Sequence, residues 1–184
     1  MKHYSSVPLP EDNQLSHEMA KELKRFPPLN IHRLLTLLPD DCRRGWMDSV
    51  SAIYKTDFNP KLREIAICRY GFKTNCKYEL HQHIALAKNM GITEDELKII
   101  LSEREVKSLT EEENLICKAV DEFEDLAGVS EATLNELLNR YSVQKTMVFF
   151  YILSHYTCVT RVLNSTKIPL EPISPLSLCK SPVG

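Results

Sequence analysis

The stretch LREIAICRYGFKTNCKYELHQHIALAKNMGI, residues 62–92, decides the fold. Its start and stop signals divide it into two helices. Asn59-Pro60 can open the first as N-cap and first helical residue, Asn75 can cap the second, and Gly91 can end it. If the two form an antiparallel hairpin turning near Thr74, Glu64 lies ten residues before the turn and His83 nine after it. At a rise of about 1.5 Å per residue the two stand at nearly the same height. Cys76 and Glu79 are three apart and Glu79 and His83 four apart, so on a helix all three share one face. The expected result is a carboxylate–imidazole–carboxylate proton relay with a thiol at its open end.

Outward from the hairpin, the same signals recur. Five glycines, few strand-like alternations and repeated helix starts predict an all-α chain. Leu15 to Phe26 has helical spacing and stops at Pro27-Pro28. A short helix runs from Asn30 or Ile31 to Leu38 and ends at Pro39. Asp40 can cap a third, to about Tyr54, with Trp46, Val50 and Ile53 at core spacing. Thr93-Glu94-Asp95-Glu96 and Thr110-Glu111-Glu112-Glu113 have the form of capping boxes, in which the hydroxyl and the third-position carboxylate satisfy each other's backbone amides. Ser130 starts a helix to about Tyr141, and Ser142 or Val143 starts a last one reaching Leu163. Val148 to Leu153 is rich in β-branched and aromatic residues and also reads as a buried strand, but the length of the segment favours a helix. Three parts result: an arm with a first helix (1–27), a helical domain (28–164) and a proline-containing tail (165–184).

The totals narrow the function. At 184 residues the chain can bury a real core. A net charge of −2 with 26% charged residues argues against a dedicated nucleic-acid binder. The most apolar run, Met147 to Leu153, is far short of the ~20 residues that cross a bilayer, so no membrane partner is expected. Met1-Lys2-His3-Tyr4 leads straight into a polar arm with no secretory pattern, and a cytoplasmic location is expected. In that reducing setting the six scattered cysteines, Cys42, Cys68, Cys76, Cys117, Cys158 and Cys179, read mostly as small hydrophobes.

Five segments carry a family resemblance: Leu62 to Ile67 (LREIAI), Tyr78 to His83 (YELHQH), Gly91 to Leu97 (GITEDEL), Ser154-His155-Tyr156, and Ile168 to Pro172 (IPLEP). Over residues 28 to 172 the chain resembles the carboxymuconolactone decarboxylase family, which shares its fold with the alkyl hydroperoxidase D-like (AhpD-like) proteins. The resemblance implies a compact all-helical protomer that assembles into homo-oligomers, trimers or hexamers, with a pocket near a subunit interface. It also implies one of two chemistries on a small-molecule substrate: decarboxylation of a carboxylated lactone, or thiol-dependent reduction of peroxides. Peroxidase-type members carry Glu-x11-Cys-x2-Cys-x3-His. Glu64, Cys76 and His83 match three of those positions, while Glu79 stands at the second cysteine. Leu80 replaces the family's usual tryptophan. If that change enlarges the pocket, the standard lactone substrate is in question.

The residues discriminate between these chemistries. A peroxidase needs a thiolate to attack oxygen and a second thiol to resolve the sulfenic acid; Glu79 cannot be that second thiol. Cys76 near a helix N-terminus would be acidified, but a carboxylate one turn on opposes its ionisation. Loss of CO2 leaves an enolate-like anion that must be held and protonated. Glu79 or His83 could be the acid, with Glu64 orienting the imidazole; the competing reading is a buried structural Glu–His network. Glu64, Cys76, Glu79 and His83 are therefore the candidate catalytic residues, and Arg63, Tyr78 and His155 the candidate substrate contacts. Arg63, next to Glu64, is expected on a different face as a structural or interface ion-pair partner, and His155 also reads as a satisfied core histidine. Glu-x3-His can ligate a metal, but no second such motif, HExxH or Cys/His cluster accompanies it, so neither metal nor cofactor is expected. Decarboxylase-like lyase chemistry leads, with a Cys76 peroxidase and a non-catalytic oligomeric scaffold as alternatives.

Overall fold

The computed structural model describes residues 3–183. Met1 and Lys2, which enter the reading of the N-terminus, and Gly184 at the end of the tail lie outside the described residues. The described residues contain nine α-helices and no strand: α1 His17–Leu23, α2 Asn30–Leu35, α3 Asp40–Lys55, α4 Pro60–Lys73, α5 Lys77–Asn89, α6 Glu94–Ile100, α7 Glu111–Asp125, α8 Glu131–Arg140 and α9 Val143–Thr166. The all-α expectation holds, including a helix through Val148–Leu153.

The chain is built around α4, in which every residue from Leu62 to Gly71 is buried. It packs against α5, α7 and α9. A helix enclosed on all sides must satisfy its own charges, and Arg69 does so at full burial. Its guanidinium grips both oxygens of Asp121 at 2.7 and 2.6 Å and donates to the carbonyls of Ile100, Glu103 and Arg104. That fork ties the end of α6 and the loop after it to the core. Asn59 caps α4 through Lys61 and Leu62, and Thr93 and Thr110 form the two expected capping boxes. Gly91, at φ 84°, follows the end of α5 as read from the sequence.

The turn between α4 and α5 corrects one assignment. Asn75 does not cap α5; Cys76 stands at the N-cap, without a side-chain cap bond. Asn75 has φ 50° and completes the end of α4. Its amide donates to Phe72 O at 3.1 Å, and the Cys76 amide donates to Gly71 O at 2.8 Å. These are the two bonds of a Schellman motif, which needs a residue that tolerates the left-handed region, and asparagine is one. A Cβ on Gly71 would lie 3.2 Å from Leu80 Cδ2, so the two helices close tightly at this end.

Other boundaries shift by a few residues. α1 is shorter than Leu15–Phe26, capped at Ser16. α2 stops at Leu35 because Leu37 and Leu38 donate to carbonyls three residues back, a tighter winding that leads into Pro39. Pro39 is the N-cap of α3, and Asp40 sits in its first turn. Beyond α9, Ile168 is buried, and the tail then runs back over α2 and α5 of the same chain.

Candidate functional site

The hairpin brings Glu64 of α4 against His83 of α5, as equal height requires. His83 Nδ1 lies 2.8 Å from Glu64 Oε2, and His83 Nε2 lies 3.3 Å from Glu79 Oε2. The first contact is a hydrogen bond. The second is within charge-attraction range but poorly aligned, and Glu79 Oε2 has no hydrogen-bond partner among the described residues. All three side chains are buried.

Behind Glu64 the network continues. Arg63 Nε donates to Glu64 Oε1 at 3.1 Å, Tyr54 Oη donates to the same oxygen at 3.2 Å, and the Tyr54 and Tyr156 hydroxyls are 3.2 Å apart. Arg63 does not leave on a separate face as its neighbouring position implied. Its long side chain curls back to Glu64 and lays its guanidinium 4.0 Å from the Tyr54 ring centroid. It does not line the cavity that Glu79 and His83 face, so the substrate contact expected of it is not met there.

That cavity, of about 40 Å³, is walled by α2, α3, α5, α9 and the tail. One side is apolar, with Leu35, Trp46, Val50 and Val159; the other carries Tyr78, Glu79, Gln82, His83 and His155. Trp46, expected in the core, is only half-buried and forms part of this wall, its ring edge-on to His155 at 5.9 Å. Leu80 lies over Gly71 and outside the cavity, so its replacement of tryptophan does not widen it. A larger concavity, about 990 Å³, lies between α7, α8 and the loop after α6. It is an open groove in which charges pair across its walls, as Lys73 with Asp125 and Lys118 with Glu136.

The electrostatics sort the residues. Burial, the largest influence, raises the Glu79 carboxyl, with Glu64 adding and His83 opposing. Burial also works against a charged His83, but Glu79 and Glu64 outweigh it and the imidazole stays protonated to higher pH than usual. The imidazolium is thus favoured where it bonds to Glu64, and the Glu79 carboxyl, raised and facing the cavity, is the group that holds its proton beyond the ordinary carboxyl range. His155 is driven the other way, down to about 4 by burial, and with Ser49 Oγ at 2.9 Å from its Nδ1 it is a neutral hydrogen-bonding wall. Burial pushes the Cys76 thiol up to about 11, and Cys76 is fully enclosed outside the cavity. Cys68 and Cys117, also enclosed, are raised too, while Cys42 and Cys158 are exposed rather than core. Among the described residues no group of three or more His, Cys, Asp or Glu side chains is arranged to hold a metal ion.

Sequence reading names Tyr78 as a substrate contact but misses Gln82 and the contact that fastens this site. Tyr78 Oη donates to Glu171 Oε1 at 2.6 Å, and Gln82 Nε2 donates to Glu171 Oε2. Tyr78 is thus at the cavity, as expected of a substrate contact, but its hydroxyl is already engaged. Gln82 also accepts from Ser174 Oγ at 2.7 Å. The four-residue spacing of Tyr78 and Gln82 was the available signal; their partner, some ninety residues on, left none.

Comparison with known proteins agrees with this fold. Residues 42–122 match the carboxymuconolactone decarboxylase family. The chain superposes on an AhpD-core, peroxidase-related protein from Ralstonia eutropha with a TM-score of 0.77 and 14% identity, over 93% of this chain and 95% of that one. It also superposes on a protein of unknown function from Agrobacterium tumefaciens, assigned provisionally to AhpD-type antioxidant defence, with a TM-score of 0.69 and 14% identity, over 75% and 95%. No curated protein matches. No helix among the described residues is long and apolar enough to cross a membrane. Residues 42–122 thus match the carboxymuconolactone decarboxylase family model, and the chain as a whole has the all-helical fold of the AhpD-like proteins.

Proposed function

We propose that the cavity carries acid–base chemistry of the decarboxylase or lyase type on a small, carboxylated, ring-derived substrate. The observation that carries this reading is His83 held between two buried carboxylates, at 2.8 and 3.3 Å, with Glu79 the member that faces the cavity. As the carbon–carbon bond to the substrate carboxylate breaks, its electron pair stays on the ring carbon and CO2 departs. The His83 imidazolium, oriented by its hydrogen bond to Glu64, attracts the substrate carboxylate and then holds the enolate-like anion. Glu79 delivers its proton to the carbon and recovers one from solvent before the next turnover. The apolar wall excludes water and receives the body of the ring.

A peroxide reductase is supported less well. With its thiol near 11, Cys76 at neutral pH is thiolate only on the order of one part in ten thousand, and the resolving position is a carboxylate. The deciding experiment is a panel of lactone acids and hydroperoxides run on the wild type, Glu79→Gln and Cys76→Ser. We expect Glu79→Gln to lose roughly 100-fold or more in kcat on a lactone acid, the scale of positioned proton transfer, with Cys76→Ser within a few-fold of wild type. The opposite ranking, with a sulfenic acid on Cys76 after peroxide, would replace this reading by the thiol chemistry. Silence of both substitutions would leave a scaffold.

A further inference from the structure

The wall that the tail gives the cavity has a consequence for entry. At about 40 Å³ the cavity holds a few water molecules, whereas sites for small organic ligands run to roughly 300 Å³ and more. Its remaining walls come from α2, α3, α5 and α9, which belong to the packed helical body. The tail is different. Past Lys167, which turns the chain at φ 53°, it has no regular structure beyond the short 3-10 turn Pro175–Leu178.

We propose that residues 171–183 are a hinged cover of the cavity, latched by Glu171 on Tyr78 and Gln82, that must swing off α5 to admit a ring-sized ligand. Leu176, Pro182 and Val183 are then the part of the wall that moves, and they set which ligands fit when it closes.

The fastening has the make-up of a latch. Glu171 accepts from Tyr78, Gln82 and the Asn30 amide, and Ser174 returns a bond to Gln82. Leu176 is buried beside Leu29 and Leu86 with Cys179 packed against them, and Pro182 is buried at the cavity wall. Asn89 reaches up from the end of α5 to the carbonyls of Leu176, Ser177 and Cys179. A handful of hydrogen bonds and a few small apolar contacts are of the size that opens locally without unfolding the domain. Tyr78 and Gln82 also sit one residue before Glu79 and His83 on the same helix, so release of the tail uncovers the ridge beside the acid.

The proposal rests on the cavity being the reaction site only in its activity arm. Trp46 is the single tryptophan of the chain and lines the cavity, so it reports the cover directly. Acrylamide quenching of Trp46 would be compared in the full-length protein, in Glu171→Ala and in a chain ending at Ile173, with far-UV circular dichroism to confirm helix content. The expected result is a quenching constant at least doubled in the variants that remain folded. Hydrogen exchange on the unmodified protein completes the test: the Leu176, Ser177 and Cys179 amides should exchange far faster than the amides of α4. Unchanged quenching in a folded variant, or tail amides that exchange only with those of α4, overturns the cover. Doubled quenching in a protein that turns over no lactone acid or hydroperoxide keeps the cover and removes the reaction assigned to the cavity.

Discussion

Helix α5 carries two adjacent stripes of the same spacing, Tyr78 with Gln82 and Glu79 with His83, and each stripe meets a carboxylate from elsewhere in the chain. The first meets Glu171, whose two oxygens are both taken by neutral donors that do not change charge near neutral pH. The second meets Glu64, and there the outer carboxylate, Glu79, has an oxygen with no hydrogen-bond partner among the described residues, beside an imidazole that is itself raised. One stripe is fully satisfied and therefore fastens. The other is incompletely satisfied at full burial, which is costly unless a proton or a substrate completes it. Two pairs one residue apart on a single helix thus divide structure from chemistry by how many hydrogen bonds remain to be made.

The largest test of that division is Glu64→Ala. It leaves Arg63 and His83 buried without their shared acceptor, a situation that costs about 3–5 kcal/mol. Urea denaturation should show a loss on that scale. A loss under about 1 kcal/mol would mean that the network is not held by Glu64 and that the two stripes do not differ as described.

Much of this contrast is legible in the sequence and some is not. The Glu64–His83 contact follows from cap positions and equal distances from a turn, both local quantities. The position of Asn75 was misread because an asparagine suits an N-cap and a left-handed helix end alike, and only the backbone path from Gly71 to Cys76 separates them. Arg63 was misplaced because the angular step per residue fixes where a side chain leaves the helix, and a long guanidinium stem can return. Trp46 was read as core because helical spacing marks an inward face without distinguishing a filled interior from the wall of a cavity. Glu171 matched a family segment, but its grip on Tyr78 and Gln82 had no counterpart in local periodicity, since it joins residues at opposite ends of the domain.

On the fastening stripe a smaller effect is expected. Tyr78→Phe removes the hydroxyl that donates to Glu171 and accepts from the Ile31 amide at 3.1 Å. Losing one buried hydrogen bond and leaving a donor unpaired costs about 1–2 kcal/mol. The same substitution should speed exchange of the tail amides while those of α4 stay protected. Equal acceleration in both places would make Tyr78 a core residue rather than part of a latch.

The smallest effect is a slope, and it isolates the reactive stripe. Burial raises the Glu79 carboxyl above its ordinary 4.5, so the folded state holds that proton more tightly than the unfolded chain. The stability linked to it is fully present below the unfolded value and is lost as pH rises through the folded one. His83, raised above 6.5 in part by Glu79, adds a loss of the same sign at higher pH. In Glu79→Gln the first titration is gone and the second loses the charge that Glu79 supplies. The variant should therefore gain on the wild type as pH rises from about 4.5 toward 8, with the gap in Tm widening by ~2–4 °C, the shift that about 1 kcal/mol gives a domain of this size. Melting curves that stay parallel across that window would show Glu79 to be as settled in its surroundings as Glu171, and the division between the two stripes would be lost.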